Sequence, residues 1–76
     1  MKLVECVPNF SEGRRPEVLD EIVGAMTAVE GVRLVDREMD ADHNRAVVTI
    51  IGEPGAVLEG AFRGIEKATE LIDLTK

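Results

Sequence analysis

The chain has 76 residues, a length that allows one domain with a thin hydrophobic core. Fifteen acidic residues against nine basic ones give a formal net charge of −6, which argues against a nucleic-acid surface because such surfaces need clustered positive charge. A single cysteine, Cys6, cannot form an internal disulfide and is typical of a reducing compartment. The sequence shows no membrane-spanning apolar run and no signal-peptide core. We therefore expect one cytoplasmic domain, residues 1–76, that binds neither nucleic acid nor membrane.

The first part of the chain predicts a strand, a loop and a helix. The first strand is expected over residues 2–7, and it ends before Pro8 because a residue that precedes proline is restricted to extended geometry. Residues 8–13 bring proline, asparagine, serine and glycine together and predict a turn. A helix is expected from Pro16 to about Val29, with Gly31 as its left-handed stop. Its apolar stripe at helical spacing comprises Val18, Leu19, Ile22, Ala25, Met26 and Val29.

The remainder predicts two strands and a second helix. The second strand is expected over residues 32–39, followed by a polar turn over residues 40–44. The third strand, residues 45–51, is almost wholly apolar, which favours burial on both faces of a sheet. A helix then begins near Pro54, and Gly60 and Gly64 are expected to let it lie close to the sheet. Its predicted stripe comprises Val57, Leu58, Ala61, Phe62, Ile65, Ala68, Leu71 and Ile72.

This order of elements predicts an α+β fold: a two-layer ferredoxin-like βαββα unit with an antiparallel sheet that lacks its final strand. In that topology the first strand pairs with the third and has an open edge. An apolar open edge invites pairing with another chain. We therefore expect the chain to be either a fragment of a larger domain or one half of a homo-oligomer.

The loop over residues 9–15 is a candidate anion site. It offers Asn9, Ser11, Arg14 and Arg15 next to the start of a helix, a combination that suits carboxylates and phosphates. The alternative is a solvated turn whose arginines pair with Glu12 or Glu17.

The acidic end of the second strand is a weaker candidate. Its residues are Asp36, Glu38, Asp40 and Asp42, with His43 beside them, but their spacing matches no metal motif and predicts no metal site. His43 is the only histidine, yet it lies in a turn with no nucleophile near it in sequence. Cys6, in the middle of a strand, is expected to be a buried, inert thiol.

Several segments resemble a known family. The run LVECVPNFSEG at residues 3–13 is similar to the start of the formiminotransferase (glutamate formimidoyltransferase) domain, in its N-terminal subdomain. The similarity continues through residues 31–36, 44–45, 52–54 and 71–74. The resemblance implies transfer of a formimino group from N-formimino-L-glutamate to tetrahydrofolate, in histidine breakdown and one-carbon metabolism, with folate as a substrate and no metal.

The same resemblance implies which residues would line the substrate groove: Asn9, Ser11, Glu38, Asn44 and Arg45. For Asn44 and Arg45 the alternative is a turn asparagine followed by an arginine that pairs with Asp36 or Glu38. The family's catalytic histidine segment comes after the second helix, and the sequence stops at Lys76 before it. We therefore expect no catalytic residue within the chain and no activity of the chain alone. The alternative function is a non-catalytic module that self-associates through its sheet.

Overall fold

A computed structural model describes residues 2–12 and 14–72. Gly13, part of the predicted turn, and residues 73–76, part of the family resemblance, lie outside the described residues. The elements are β1 (Val4–Cys6), β2 (Asn9–Phe10), α1 (Pro16–Thr27), β3 (Arg33–Asp40), β4 (Arg45–Gly52) and α2 (Pro54–Leu71). Proline stands at the start of both helices, where its missing N–H removes no helical hydrogen bond.

Strand β4 is the centre of the sheet within the described residues. β1 and β2 pair with one edge of β4 and β3 pairs with the other, all antiparallel. The first strand of the chain thus lies beside the strand that precedes α2, as the ferredoxin-like arrangement requires. The predicted α+β class and βαββα order are confirmed, with β2 as an addition.

Strands β1 and β2 form one line along β4 that is interrupted at Pro8. Cys6 pairs with Ile50 and Asn9 with Val47 in an unbroken register, and the Val48 amide donates to the Pro8 carbonyl at 3.1 Å. Proline has no N–H to return that bond, so the ladder loses one link there. The predicted end of the first strand before Pro8 is confirmed to within one residue, because β1 ends at Cys6. The turn predicted over residues 8–13 is wrong at Asn9 and at the buried Phe10, which pair with β4 as β2.

The hydrophobic core lies between the two helices and one face of the sheet. On β4, Ala46, Val48 and Ile50 are buried against the helices, whereas the residues between them are only half-buried. The expectation that this strand is buried on both faces is wrong, because α1 and α2 cover the same face and leave the other open. From α1 the core receives Val18, Leu19, Ile22, Val23 and Met26.

Helix α1 follows its prediction closely. It ends at Thr27, two residues before the expected end, and Gly31 adopts the predicted left-handed conformation with φ +93°. Val23 is buried although it lies outside the predicted stripe, and Ala25 and Val29 are only half-buried. The predicted stripe is therefore correct for Val18, Leu19, Ile22 and Met26, whereas at its margin Val23 is buried in place of Ala25 and Val29.

Helix α2 faces the core with only part of its predicted stripe: Val57 is buried, and Ala68, Leu71 and Ile72 pack against the core. Its buried residues are Val57, Gly60 and Gly64, whereas Leu58, Phe62 and Ile65 are exposed. A Cβ on Gly64 would lie 2.6 Å from Met26 Cγ, so this glycine permits close contact with α1 rather than with the sheet. No helix among the described residues is long and apolar enough to cross a membrane.

Candidate functional site

The sheet face away from the helices, called here the open face, brings two predicted site residues into one row. Directly paired residues of antiparallel strands lie on the same face, and both Asn9 and Glu38 pair with Val47. Strands are roughly 4.8 Å apart, which separates the Cα atoms of Asn9 and Glu38 by on the order of 10 Å. Half-buried Val47 lies between them as an apolar floor.

Arg45 occupies the next row of the open face, towards the β3–β4 hairpin. It lies two residues before Val47 on β4 and pairs in register with Asp40. Among residues 2–12 and 14–72, Arg45 makes no ion pair, so the suggested pairing with Asp36 or Glu38 does not form. Arg45 is exposed in the row next to that of Asn9 and Glu38.

Asn44 and Ser11 join the hairpin to the loop that follows β2. The Asn44 side-chain amide donates to the Ser11 carbonyl at 3.5 Å, and Asn44 has a left-handed backbone with φ +49°, which asparagine adopts more readily than most residues. All five predicted groove residues thus lie at the hairpin end of the sheet, with Asn9, Glu38 and Arg45 on the open face and Ser11 and Asn44 in the adjoining loops.

Asp40 holds the hairpin turn in shape. Its Oδ1 accepts hydrogen bonds from the backbone amides of Asp42 and His43, at 3.0 and 3.3 Å, and its Oδ2 lies 2.6 Å from His43 Nδ1. The hydrogen bond from His43 is the main cause that lowers the pKa of Asp40. His43 is exposed and engaged in this turn, so the geometry gives it a structural contact with Asp40.

The Glu12 carboxylate accepts hydrogen bonds from several donors of the predicted anion loop. Its carboxylate is buried and accepts from the backbone amides of Arg14 and Arg15, at 3.2 and 3.1 Å, and from the Arg15 guanidinium. The hydrogen bond from Arg15 is the first cause that lowers the pKa of Glu12. The alternative in which an arginine pairs with Glu12 is therefore correct for Arg15, and the backbone amides of Arg14 and Arg15 already have an internal partner.

Sequence reasoning named Glu12 as a partner of the arginines but missed that Glu12 and Asp40 accept hydrogen bonds from backbone amides. An aspartate just before a turn often accepts hydrogen bonds from the backbone amides of that turn, so this role of Asp40 was predictable from the sequence. It also missed the 2.7 Å ion pair between Arg37 on β3 and Asp20 on α1. That pair joins elements distant in the chain and leaves no local signal.

Cys6 and a metal site were also considered from the sequence. Cys6 pairs with Ile50 on the helix-covered face and is half-buried, rather than fully buried as expected. Within the part of the chain that the structure describes, no three histidine, cysteine, aspartate or glutamate side chains are close enough to hold a metal ion.

Together these features define a small α+β unit that covers one sheet face with helices and leaves polar groups at one end of the other. The formiminotransferase domain, N-terminal subdomain, matches residues 3–76. The chain belongs to this family.

The chain is also similar in sequence to several curated proteins. The chain is 45% identical to the glutamate formimidoyltransferase of Streptococcus pyogenes over 75 residues, which are 99% of this chain and 25% of that protein. It is 46% identical to the glutamate formimidoyltransferase of Thermoplasma acidophilum over 97% of this chain and 24% of that protein. The mouse formimidoyltransferase-cyclodeaminase is 45% identical over 99% of this chain and 14% of its own length. The chain thus spans about a quarter of the microbial relatives.

Proposed function

We propose that this chain forms one wall of the substrate groove of a glutamate formimidoyltransferase. The reaction is transfer of a formimino group from N-formimino-L-glutamate to tetrahydrofolate, in histidine degradation and one-carbon metabolism. The main observation behind the proposal is that Asn9, Glu38 and Arg45 lie on adjacent rows of the open face. Family membership and two glutamate formimidoyltransferase relatives support it.

The chemistry of this wall suits the two substrates. The Glu38 carboxylate is positioned on an exposed strand row, where it can accept hydrogen bonds from a cationic formimino group. The Arg45 guanidinium, one row away, suits the carboxylates of glutamate and of the folate tail. Asn9, Asn44 and Ser11 add neutral polar groups around the apolar floor at Val47. Binding and orientation are the roles of these residues; none of them is assigned to proton transfer.

We further propose that the isolated chain holds ligand without turning it over. General acid–base catalysis needs a group positioned on the reacting atoms, worth roughly 10²–10⁴-fold in rate. The single histidine, His43, is instead exposed in a turn and paired with Asp40. The chain also covers only 25% of the streptococcal relative. Turnover by the purified 76-residue protein would contradict this proposal. A cytoplasmic location, expected from the single thiol, belongs to the same proposal.

Calorimetric titration of the chain with folinic acid, and separately with N-formimino-L-glutamate, tests the groove. Glu38→Gln is expected to weaken binding of the formimino compound, and Arg45→Gln to weaken both ligands by about tenfold, the effect of losing one charge-assisted contact. Arg33→Gln is the matched control, because Arg33 is an exposed arginine at the opposite end of β3, where it pairs with Ile51. Equal losses for Arg33→Gln and Arg45→Gln would contradict the assigned site.

The second candidate function is a non-catalytic module that self-associates through its sheet. The half-exposed apolar residues Val47 and Ile51 on the open face favour it, and within residues 2–12 and 14–72 β1 pairs with β4 alone. Sedimentation of the 76-residue protein at high micromolar concentration separates the candidates. A strictly monomeric species eliminates the self-associating module and leaves the transferase proposal intact.

A further inference from the structure

The Glu12 carboxylate is buried next to the candidate groove, and none of the roles assigned above uses it. Glu12 is 5% exposed, and among residues 2–12 and 14–72 no other charged residue is buried. Burial of a charge is costly unless hydrogen bonds compensate it. Both oxygens of Glu12 are compensated in this way, by the backbone amides of Arg14 and Arg15 and by the Arg15 guanidinium. The carboxylate therefore ties its own loop into one conformation.

Ser11, a predicted groove residue, lies between two buried neighbours. Phe10 on one side is 6% exposed and pairs with Ala46 in the sheet, and Glu12 follows on the other side. Ser11 itself is exposed. Because both adjacent residues are held in place, the position of Ser11 is set by the strand that precedes it and by the hydrogen bonds of Glu12.

The Ser11 carbonyl makes a contact between this loop and the β3–β4 hairpin. It accepts a hydrogen bond from the Asn44 side-chain amide at 3.5 Å, across 33 positions of the sequence. This distance is at the long end for an N–H···O bond, so a small displacement of the loop is enough to break the contact. Arg45 directly follows Asn44 in the chain. Movement of the loop therefore disturbs several polar groups at this end of the groove.

Loss of the Glu12 carboxylate should loosen this loop without unfolding the protein. Leu19 and Met26 of α1 are fully buried and remain to hold the helix in the core. The first helical hydrogen bond of α1 runs from the Val18 amide to the Arg15 carbonyl at 3.1 Å and does not involve the Glu12 side chain. The position of the loop can thus be changed separately from the fold.

We propose that Glu12 is a positioning residue for the candidate groove. It holds the Ser11 loop against the hairpin, so that Ser11 and Asn44 keep a fixed place beside the row of Asn9 and Glu38. The Glu12 side chain is only 6% exposed, so it acts through these residues and does not contact the ligand itself. This inference rests on the proposed function, because ligand binding is the property that the loop position controls.

Glu12→Gln tests the proposal, because glutamine has nearly the same shape but presents one acceptor oxygen in place of two. Calorimetric titrations with N-formimino-L-glutamate and with folinic acid are carried out at a temperature at which circular dichroism shows every variant to be folded. We expect Glu12→Gln to weaken binding of these ligands by about threefold to tenfold, the effect of losing one hydrogen bond. Unchanged affinity for both ligands, whatever the change in unfolding temperature, would give Glu12 a purely structural role and overturn the proposal.

Gly64→Ala is the matched control, because it should also destabilise the protein but at a distance from the groove. The added Cβ would lie 2.6 Å from Met26 Cγ, and Met26 lies about 15 Å along the axis of α1 from its first residue, Pro16. We expect Gly64→Ala to lower the unfolding temperature and to leave both affinities unchanged. An equal loss of affinity in the two variants would reduce the effect of Glu12 to lost stability and contradict the proposal.

A second measurement separates this proposal from the proposed function. The nuclear Overhauser effect between the Asn44 side-chain amide and Ser11 reports the contact between loop and hairpin without any ligand. We expect this signal in the unchanged protein and in Gly64→Ala, and its loss in Glu12→Gln. If the unchanged protein binds neither ligand, the groove proposal fails, whereas loss of the signal in Glu12→Gln alone still supports the positioning role. Retention of the signal in Glu12→Gln, or its absence from the unchanged protein, would overturn the positioning role.

Discussion

Both Nε and Nη2 of Arg15 donate hydrogen bonds to Oε1 of Glu12, at 2.9 and 2.7 Å. The other oxygen of the same carboxylate accepts from the backbone amides of Arg14 and Arg15. Helix α1 has no side-chain cap from its own N-cap residue, Arg15. Glu12, three residues earlier, therefore organises the entry to the helix and fixes the loop beside the candidate groove.

Removal of the Glu12 carboxylate should destabilise the fold. We expect Glu12→Ala to lower the free energy of unfolding by about 1–2 kcal/mol, because part-buried amides and a guanidinium lose their acceptor. Urea denaturation followed by circular dichroism measures the change. Glu17→Ala is the control, because Glu17 is exposed in the first turn of α1 and should change the stability by less than about 0.5 kcal/mol. Equal effects from the two variants would contradict the assigned role of Glu12.

The same carboxylate should make stability depend on acid pH. The folded-state pKa of Glu12 is lowered, mainly by the hydrogen bond from Arg15, so the folded protein holds the ionised form more strongly than the unfolded chain does. Its contribution is complete above the unfolded pKa of roughly 4.3 and disappears as the pH falls through the lowered folded value. Urea midpoints between neutral pH and pH 3 should fall less steeply for Glu12→Gln than for the unchanged protein. An identical pH dependence of the urea midpoints for the two proteins would show that Glu12 does not cause the loss of stability in acid.

Two helical glycines should respond to alanine in opposite directions. A Cβ at Gly64 would lie 2.6 and 2.7 Å from Met26 Cγ and Sδ, and Met26 is fully buried. We expect Gly64→Ala to cost about 1–3 kcal/mol through overpacking, despite the better helix propensity of alanine. Gly24→Ala should instead stabilise the protein by about 0.5–1 kcal/mol, since the added Cβ meets nothing within 4 Å apart from its own chain neighbours and the nearby backbone of α1. Thermal unfolding of both variants provides the measurement, and stabilisation by Gly64→Ala would contradict the close helix packing.

Asn44 should tolerate glycine better than alanine. Its φ of +49° is left-handed, a conformation that costs most residues roughly 1–2 kcal/mol and glycine almost nothing. Both substitutions remove the side-chain hydrogen bond to the Ser11 carbonyl, so the difference between them isolates the backbone cost. We expect Asn44→Ala to be about 1 kcal/mol less stable than Asn44→Gly by urea denaturation. Equal stabilities would exclude a left-handed Asn44 in solution.

Much of the fold was accessible from local patterns. Proline at the start of each helix, a 3.6-residue apolar stripe in α1 and the polar turn before Arg45 are all signals that act within a few residues. The resemblance at the opening run led to the family that the comparison confirmed. It also predicted that five residues line a substrate groove, and the fold brings them to the hairpin end of the sheet.

The predictions that were wrong concerned features that depend on contacts between distant parts of the chain. Local residue preferences predict a turn over residues 8–13, yet Asn9 and Phe10 pair with β4 as a second short strand. The apolar stripe of α2 is wider than the surface that the core covers, so Leu58, Phe62 and Ile65 stay exposed while Gly64 packs against Met26. The buried state of Glu12 likewise follows from its neighbours and not from its residue type.

The sequence alone therefore determined the helices, the hairpin and the family of this protein, because periodicity, capping and turn preferences are set by neighbouring residues. Only the tertiary structure decided which face of β4 stays open, which flank of α2 is exposed and how Asn9 and Glu38 come to share a row. Those outcomes depend on which surfaces pack against each other and on strand register, and both are properties of the assembled chain.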